Sequence, residues 1–127
     1  MTSDDVEQVA AESLRVASIV ALSLADLAAT DDRYDQLGAL AAASSATEAT
    51  CYLPLPLMPA VEGSDRLDHQ GVIRLAGHLE ELADELDELG RRSTDLRQIR
   101  DRHMAALHSR DAAIALRSSL PVEESSV

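Results

Sequence analysis

The segment CYLPLPLMPAVEG, residues 51–63, constrains the fold of this chain more than any other feature. It places Pro54, Pro56 and Pro59 close together near the middle of 127 residues. Proline lacks a backbone N–H and disfavours helical geometry at the residue before it. A helix that precedes the segment must therefore end near Leu53, and a new element must begin after it.

Apolar residues recur at three- and four-residue steps in four stretches, and this spacing predicts four helices. The predicted helices span residues 4–29, 33–52, 65–90 and 94–118, and residues 119–127 form a flexible tail. The chain has no Trp and no Phe, and a core of Ala, Leu, Val and Ile suits closely spaced helices. We therefore predict an all-α fold: a four-helix bundle in one domain, residues 1–127, with a long Pro-rich connection between helices two and three.

The first helix is apolar over most of its girth in its second half, because Ile19 and Leu22 lie outside its main apolar stripe. Such a helix is usually central or lies at a subunit contact, so we expect a homodimer. The middle of the second helix, GALAAASSATEAT, consists of small residues that let helix axes approach closely. Larger side chains are expected to anchor its ends: Tyr34, Leu37, Leu40 and Tyr52.

The third and fourth helices are predicted to form an antiparallel hairpin with complementary charge. Helix three has a coiled-coil-like seam and ends at Gly90. Ser93 or Thr94 is expected to cap helix four. The seam of helix three is Val72, Leu75, Leu79, Leu82, Leu86 and Leu89, and the expected inner face of helix four is Leu96, Ile99, His103, Ala106 or Leu107, and Ile114.

The charges on this hairpin predict a register. Acidic residues dominate helix three, and arginines dominate the turn and helix four. Folding the chain about a turn near Arg92 and Ser93 brings Glu85 opposite Arg100 and Glu88 opposite Arg97. Exposed ion pairs contribute little individually, but together they disfavour the wrong neighbour.

The Pro-rich connection allows two bundle topologies. About twelve residues in polyproline II geometry span about 37 Å, which is roughly the length of a helix of 25 residues. The connection can therefore run along the bundle, so that helices two and three are parallel, or fold into a compact cap at one end. A third interpretation makes Leu55, Leu57 and Met58 a partner-binding segment for a proline-recognition domain.

Four side chains on the hairpin are candidate metal ligands. The predicted register brings His78, Glu81, His103 and His108 toward one surface, and imidazole with carboxylate binds zinc or related divalent ions. The alternative is a partly buried His103 and otherwise exposed histidines. We expect no cofactor, and a divalent metal is the alternative.

The net charge of −12 excludes a cationic surface for nucleic acid or for anionic membranes. Cys51 is the single cysteine, so no internal disulfide forms, and the N-terminus MTSDDVEQ is acidic where a secretion signal is basic. We therefore expect a cytoplasmic protein. All eleven basic residues are arginine, which indicates the coding bias of a GC-rich bacterial genome.

No phosphate-binding loop, zinc spacing or catalytic triad is present in the sequence. We therefore expect a non-enzymatic protein-interaction module, meaning a regulator, adaptor, antitoxin or immunity-type partner. It would act through a helical, acidic surface, and a basic protein is the expected partner besides a second copy. The alternative is a small-ligand or metal-binding bundle, an enzyme in one version, with a site between helices three and four.

Overall fold

The computed structural model describes residues 3–54 and 68–121, and these residues form four helices. They are α1 (Ser3–Ala28), α2 (Gln36–Thr50), α3 (His69–Arg92) and α4 (Leu96–Ser119). The described ranges contain no strand. The predicted all-α, four-helix fold is therefore confirmed.

Aspartates cap α3 and α4. The carboxylates of Asp68 and Asp95 each accept a hydrogen bond from the backbone N–H two residues later, at 3.1 Å and 2.9 Å. These bonds satisfy donors that a helix start leaves unpaired. The cap of α4 is thus Asp95, and the prediction of Ser93 or Thr94 was wrong.

Gly90 does not end α3, which continues to Arg92. A Cβ atom at position 90 would lie 2.8 Å from Nε2 of His103. That distance is too short for a real contact, so the glycine allows α4 to bring His103 against α3. Its role is close helix approach, and the predicted helix-terminating role was wrong.

The four helices form a ring in the order α1, α2, α4, α3. α4 packs extensively against α2 and α3, and α1 packs extensively against α2 and over a smaller area against α3. In the described residues α2 and α3 do not touch, and α1 and α4 meet only slightly. α1 and α4 therefore lie on one diagonal of the bundle and face outward in opposite directions.

α2 and α3 run in the same direction. The hydroxyl of Tyr34, just before α2, lies 2.6 Å from Nε2 of His69, the first residue of α3. At the other end of the bundle, Glu7 near the start of α1 pairs with Arg102 early in α4 at 3.0 Å. The end of α2 and the start of α3 are therefore at opposite ends, and the crossover topology holds. Leu55, Leu57 and Met58 lie outside the described residues.

The core is built mainly from alanine and leucine. One cluster occupies the end where α1 and α4 finish, and a second occupies the end where they begin. The buried residues of α2 are all alanine: Ala39, Ala42, Ala43, Ala46 and Ala49. Alanine at these positions lets α1 and α4 pack closely against α2, as the composition of the second helix predicted.

α4 turns its small residues inward and its large apolar residues outward. Its buried positions are Ala105, Ala106, Ser109, Ala112, Ala113, Leu116 and Ser119. Leu96 and Ile114 are exposed, so their assignment to the inner face was wrong, and of the two alternatives Ala106 and Leu107 it is Ala106 that is buried. Leu37 and Leu40 of α2 are exposed as well and do not anchor that helix.

One helix among the described residues, Asp4–Ala28, is long and apolar enough to cross a membrane by length and composition alone, with a mean hydropathy of 1.3. The core helix of a soluble bundle meets the same criterion. In this structure the helix buries Leu14 and Leu24 completely within the bundle.

Candidate interaction surfaces

Ion pairs join α3 to α4 along the outer edge of the hairpin. Arg110 bridges Asp84 and Asp87, at 2.7 Å from each carboxylate. Arg117 donates a hydrogen bond to Glu80, which holds the pKa of that carboxyl below its ordinary value. The predicted pairing of an acidic α3 with arginines of α4 is therefore present.

Asp87 is the most protected carboxylate in this row, with 19% of its side chain exposed. Burial raises its pKa, but hydrogen bonds with His103 and Arg110 outweigh that effect and hold the pKa below its ordinary value. The distance from His103 Nδ1 to the carboxylate is 2.7 Å. Asp87 thus fixes two side chains of α4 against α3.

The residue pairs of the hairpin differ from the predicted register. Glu88 pairs with Arg91 and Arg92 on its own helix, and Arg100 pairs with Asp101. The loop is centred later than predicted, because α3 extends to Arg92. Long side chains also lean toward the N-terminus of their own helix, which shifts the contacts further. The pairings of Glu85 with Arg100 and of Glu88 with Arg97 were wrong.

The four candidate metal ligands have separate surroundings. His78 and Glu81 are exposed on α3, and His103 binds Asp87. The ring of His108 stacks on Tyr52 with centroids 5.9 Å apart. Across residues 3–54 and 68–121 no group of three or more His, Cys, Asp or Glu side chains has the arrangement of a metal site. The metal site stays a prediction, which calorimetric titration with zinc tests.

The arginines near the α3–α4 turn are largely neutralised by carboxylates. Arg102 is nearly buried and binds Glu7 of α1 at 3.0 Å, while it also donates to the carbonyl of Leu89. Arg91 and Arg92 share Glu88. These contacts stabilise the lower end of the bundle, where α1 and α4 begin, and leave a small net positive charge there, because Arg91 and Arg92 have one carboxylate between them.

α1 has an exposed apolar face opposite its buried stripe. Ile19 is 42% exposed and Leu22 is 50% exposed. Arg15 and Asp26 are exposed at the two ends of this pair, and neither forms an ion pair or side-chain hydrogen bond with the described part of the chain. We call Arg15, Ile19, Leu22 and Asp26 the α1 face.

α4 has a second exposed apolar face on the opposite side of the bundle. Leu107 is 48% exposed and Ile114 is 59% exposed, and they lie two helical turns apart. Asp111 is exposed between them and has no hydrogen-bond or ion-pair partner in the ranges that the structure describes. We call Leu107, Asp111 and Ile114 the α4 face.

An open groove of about 290 Å³ lies between α1 and α2. Ala11 and Leu14 contribute apolar surface, while Ser18 and Thr47 lie 3.4 Å apart at their hydroxyl oxygens. Arg15 lines the same groove, next to the α1 face. The groove therefore combines apolar surface, hydroxyl groups and one cationic side chain.

Sequence reasoning anticipated the α1 face and missed the α4 face. Ile19 and Leu22 were predicted as apolar residues outside the main stripe, whereas Ile114 was predicted to lie on the inner face of α4 and Leu107 was one of two alternatives there. The missed signal was a second periodic series of small residues on α4, from Ala105 to Ser119, which marks the true inner face.

Comparisons of the chain with protein-family models, with curated proteins and with solved structures found no match.

Proposed function

We propose that the chain is a non-enzymatic protein-interaction module that binds a partner protein through the α4 face. The observation that carries the proposal is the exposure of Leu107 and Ile114 on either side of Asp111, which has no side-chain partner within residues 3–54 and 68–121. Apolar residues grouped on a polar surface are typical of a protein contact site. Its role would be that of a regulator, an adaptor, an antitoxin or an immunity-type protein.

The chemistry of the α4 face specifies the partner. Leu107 and Ile114 would pack against an apolar patch of the partner. Asp111, which lies between them, would pair with an arginine or lysine at the centre of that patch. The net charge of −12 attracts a basic protein at long range and raises the association rate. The partner is therefore a basic protein with an apolar contact surface.

The experiment compares affinity capture by three forms of the full chain. The Leu107→Glu/Ile114→Glu variant adds charge to the α4 face, and Leu37→Glu adds charge at an exposed leucine of α2 as a control. We expect a basic protein to be recovered by the wild type and the control and lost with the double variant. Calorimetry with the purified pair then measures affinity, and Asp111→Asn should weaken it and reduce its salt dependence. Recovery that is equal for all three forms would contradict the proposal.

A small-ligand-binding bundle is the second candidate, and the groove between α1 and α2 favours it. Its volume of about 290 Å³ is near the lower end of the roughly 300–1,000 Å³ typical of ligand pockets. Arg15 at its edge suits a ligand with an apolar body and an anionic group. Native mass spectrometry of the purified protein tests this candidate, because a reproducible added mass would favour it and an adduct-free spectrum would count against it.

A further inference from the structure

We infer that the α1 face is a site of self-association, at which two copies of the chain pair through antiparallel α1 helices. This inference goes beyond the partner contact proposed for α4 and does not rest on it, because α1 and α4 face opposite sides of the bundle. The occupant of the α1 face is a second copy, and the order of residues along the helix specifies that occupant.

The residues of the α1 face have the same spacing in either direction along the helix. They follow one another in steps of four, three and four: Arg15, Ile19, Leu22 and Asp26. Steps of this kind form the seam between paired helices. A two-fold axis between Val20 and Ala21 places Ile19 of one copy against Leu22 of the other, and the reverse contact forms at the same time.

The charges at the ends of the face complement each other under the same symmetry. The two-fold axis that pairs Ile19 with Leu22 also places Arg15 of each copy opposite Asp26 of the other. Within one copy these side chains are eleven residues apart, about 16 Å along the helix, so they do not reach each other. A parallel, in-register pair would place Arg15 against Arg15, so the charges select the antiparallel arrangement.

The size of the face sets the strength of the association. The central contact consists of Ile19 and Leu22 from each copy. The exposed Leu40 of α2 lies at the same height along the bundle, because α1 contacts α2 above and below it, at Ala25 and at Ser18. A contact of this extent is below the usual size of a permanent dimer interface. We therefore expect a reversible dimer with a dissociation constant on the order of 10 µM.

The experiment measures the dimer dissociation constant of the full chain by analytical ultracentrifugation from about 1 µM to about 500 µM. The Arg15→Glu variant places two carboxylates together at each end of the face, and Asp26→Arg places two guanidiniums together. We expect each single variant to raise the dissociation constant at least tenfold and the Arg15→Glu/Asp26→Arg double variant to restore it. Circular dichroism should be unchanged, because both residues are exposed and make no ion pair with the described residues of their own copy.

The Leu107→Glu/Ile114→Glu variant is the matched control, and we expect it to dimerise like the wild type. A wild type that stays monomeric over this concentration range overturns the inference. A dimer insensitive to the single variants, or one that the double variant does not restore, overturns the pairing. If only the Leu107→Glu/Ile114→Glu variant fails to dimerise, the self-association site lies on α4 and the inference is wrong. If the capture experiment finds no partner but the dimer forms as expected, only the function proposed for the α4 face is contradicted.

Discussion

The hydroxyl of Tyr34 lies 2.6 Å from Nε2 of His69, although 35 residues separate them in the chain. Their rings also meet edge-on, with centroids 5.6 Å apart. Tyr34 precedes α2 and His69 begins α3, so this contact fixes the starts of two parallel helices at one end of the bundle. It lies where the chain returns from its crossover connection.

We predict that Tyr34→Phe lowers the free energy of unfolding by about 0.5–1.5 kcal/mol, because the hydrogen bond to His69 is lost while the ring remains. Urea denaturation followed by circular dichroism measures the change. Tyr52→Phe is the control, since Tyr52 meets His108 by ring stacking, which phenylalanine preserves. Equal losses in both variants would contradict a specific contribution of the Tyr34 hydroxyl.

Acid is expected to destabilise the hairpin through Asp87. Hydrogen bonds with His103 and Arg110 keep the pKa of Asp87 below its ordinary value in the folded protein. A lowered folded-state pKa contributes stability above the unfolded-state pKa, near 3.9 for aspartate, and this stability is lost as pH falls through the folded value. Asp87→Asn should cost about 1–3 kcal/mol at neutral pH and much less once the pH is low enough to protonate Asp87 in the folded protein.

Urea denaturation at several pH values measures this effect. Asp84→Asn is a matched control, because it removes a largely exposed carboxylate from the same Arg110 and should cost less. An Asp87→Asn variant whose stability depends on pH as steeply as that of the wild type would contradict the role given to this carboxylate.

The two glycines in the middle and at the end of α3 should respond differently to alanine. Gly77→Ala meets only Arg117 at 4.0 Å and should stabilise the protein by up to about 1 kcal/mol through higher helix propensity. Gly90→Ala meets the ring of His103 and should displace it from Asp87, so no stabilisation is expected. Thermal unfolding compares the two, and a stabilised Gly90→Ala would show that the close approach is not required.

The alanine-lined contacts of α2 should be intolerant of larger side chains. Ala46 is fully buried, so Ala46→Leu must displace neighbouring helices and should cost about 1–3 kcal/mol or more. Ala41→Leu on the exposed side of the same helix should change stability little. Urea denaturation of both variants tests the packing, and a neutral Ala46→Leu would indicate a looser interior.

The sequence predicted the number and approximate limits of the helices because Pro54 and the apolar spacing act locally, whereas the caps Asp68 and Asp95 were not anticipated. The inner face of α4 was predicted only in part, at Ala106, because Leu96 and Ile114 outweigh alanine in a hydrophobicity pattern. Whether leucine or alanine faces inward depends on how closely the neighbouring helices approach. That distance is set by the alanines of α2 and by Gly90 of α3, which lie on other helices.

The candidate surfaces show the same limit. The α1 face was predicted as an unusually apolar helix, but the opposite charges at its two ends were noticed only because Arg15 and Asp26 are exposed and have no ion-pair partner in the described chain. The hairpin register was missed because it depends on the length of the loop and on the lean of long side chains. Both are properties of three-dimensional packing that residue spacing does not encode.

The diagonal placement of α1 and α4 determines the valency of any larger assembly. Two bundles joined through α1 would carry their α4 faces on the two far sides, directed away from each other. A single partner molecule would therefore not occupy both sites, and no gain in avidity would arise within one complex. Such a dimer would instead bridge two partner molecules and hold them apart by the thickness of two bundles.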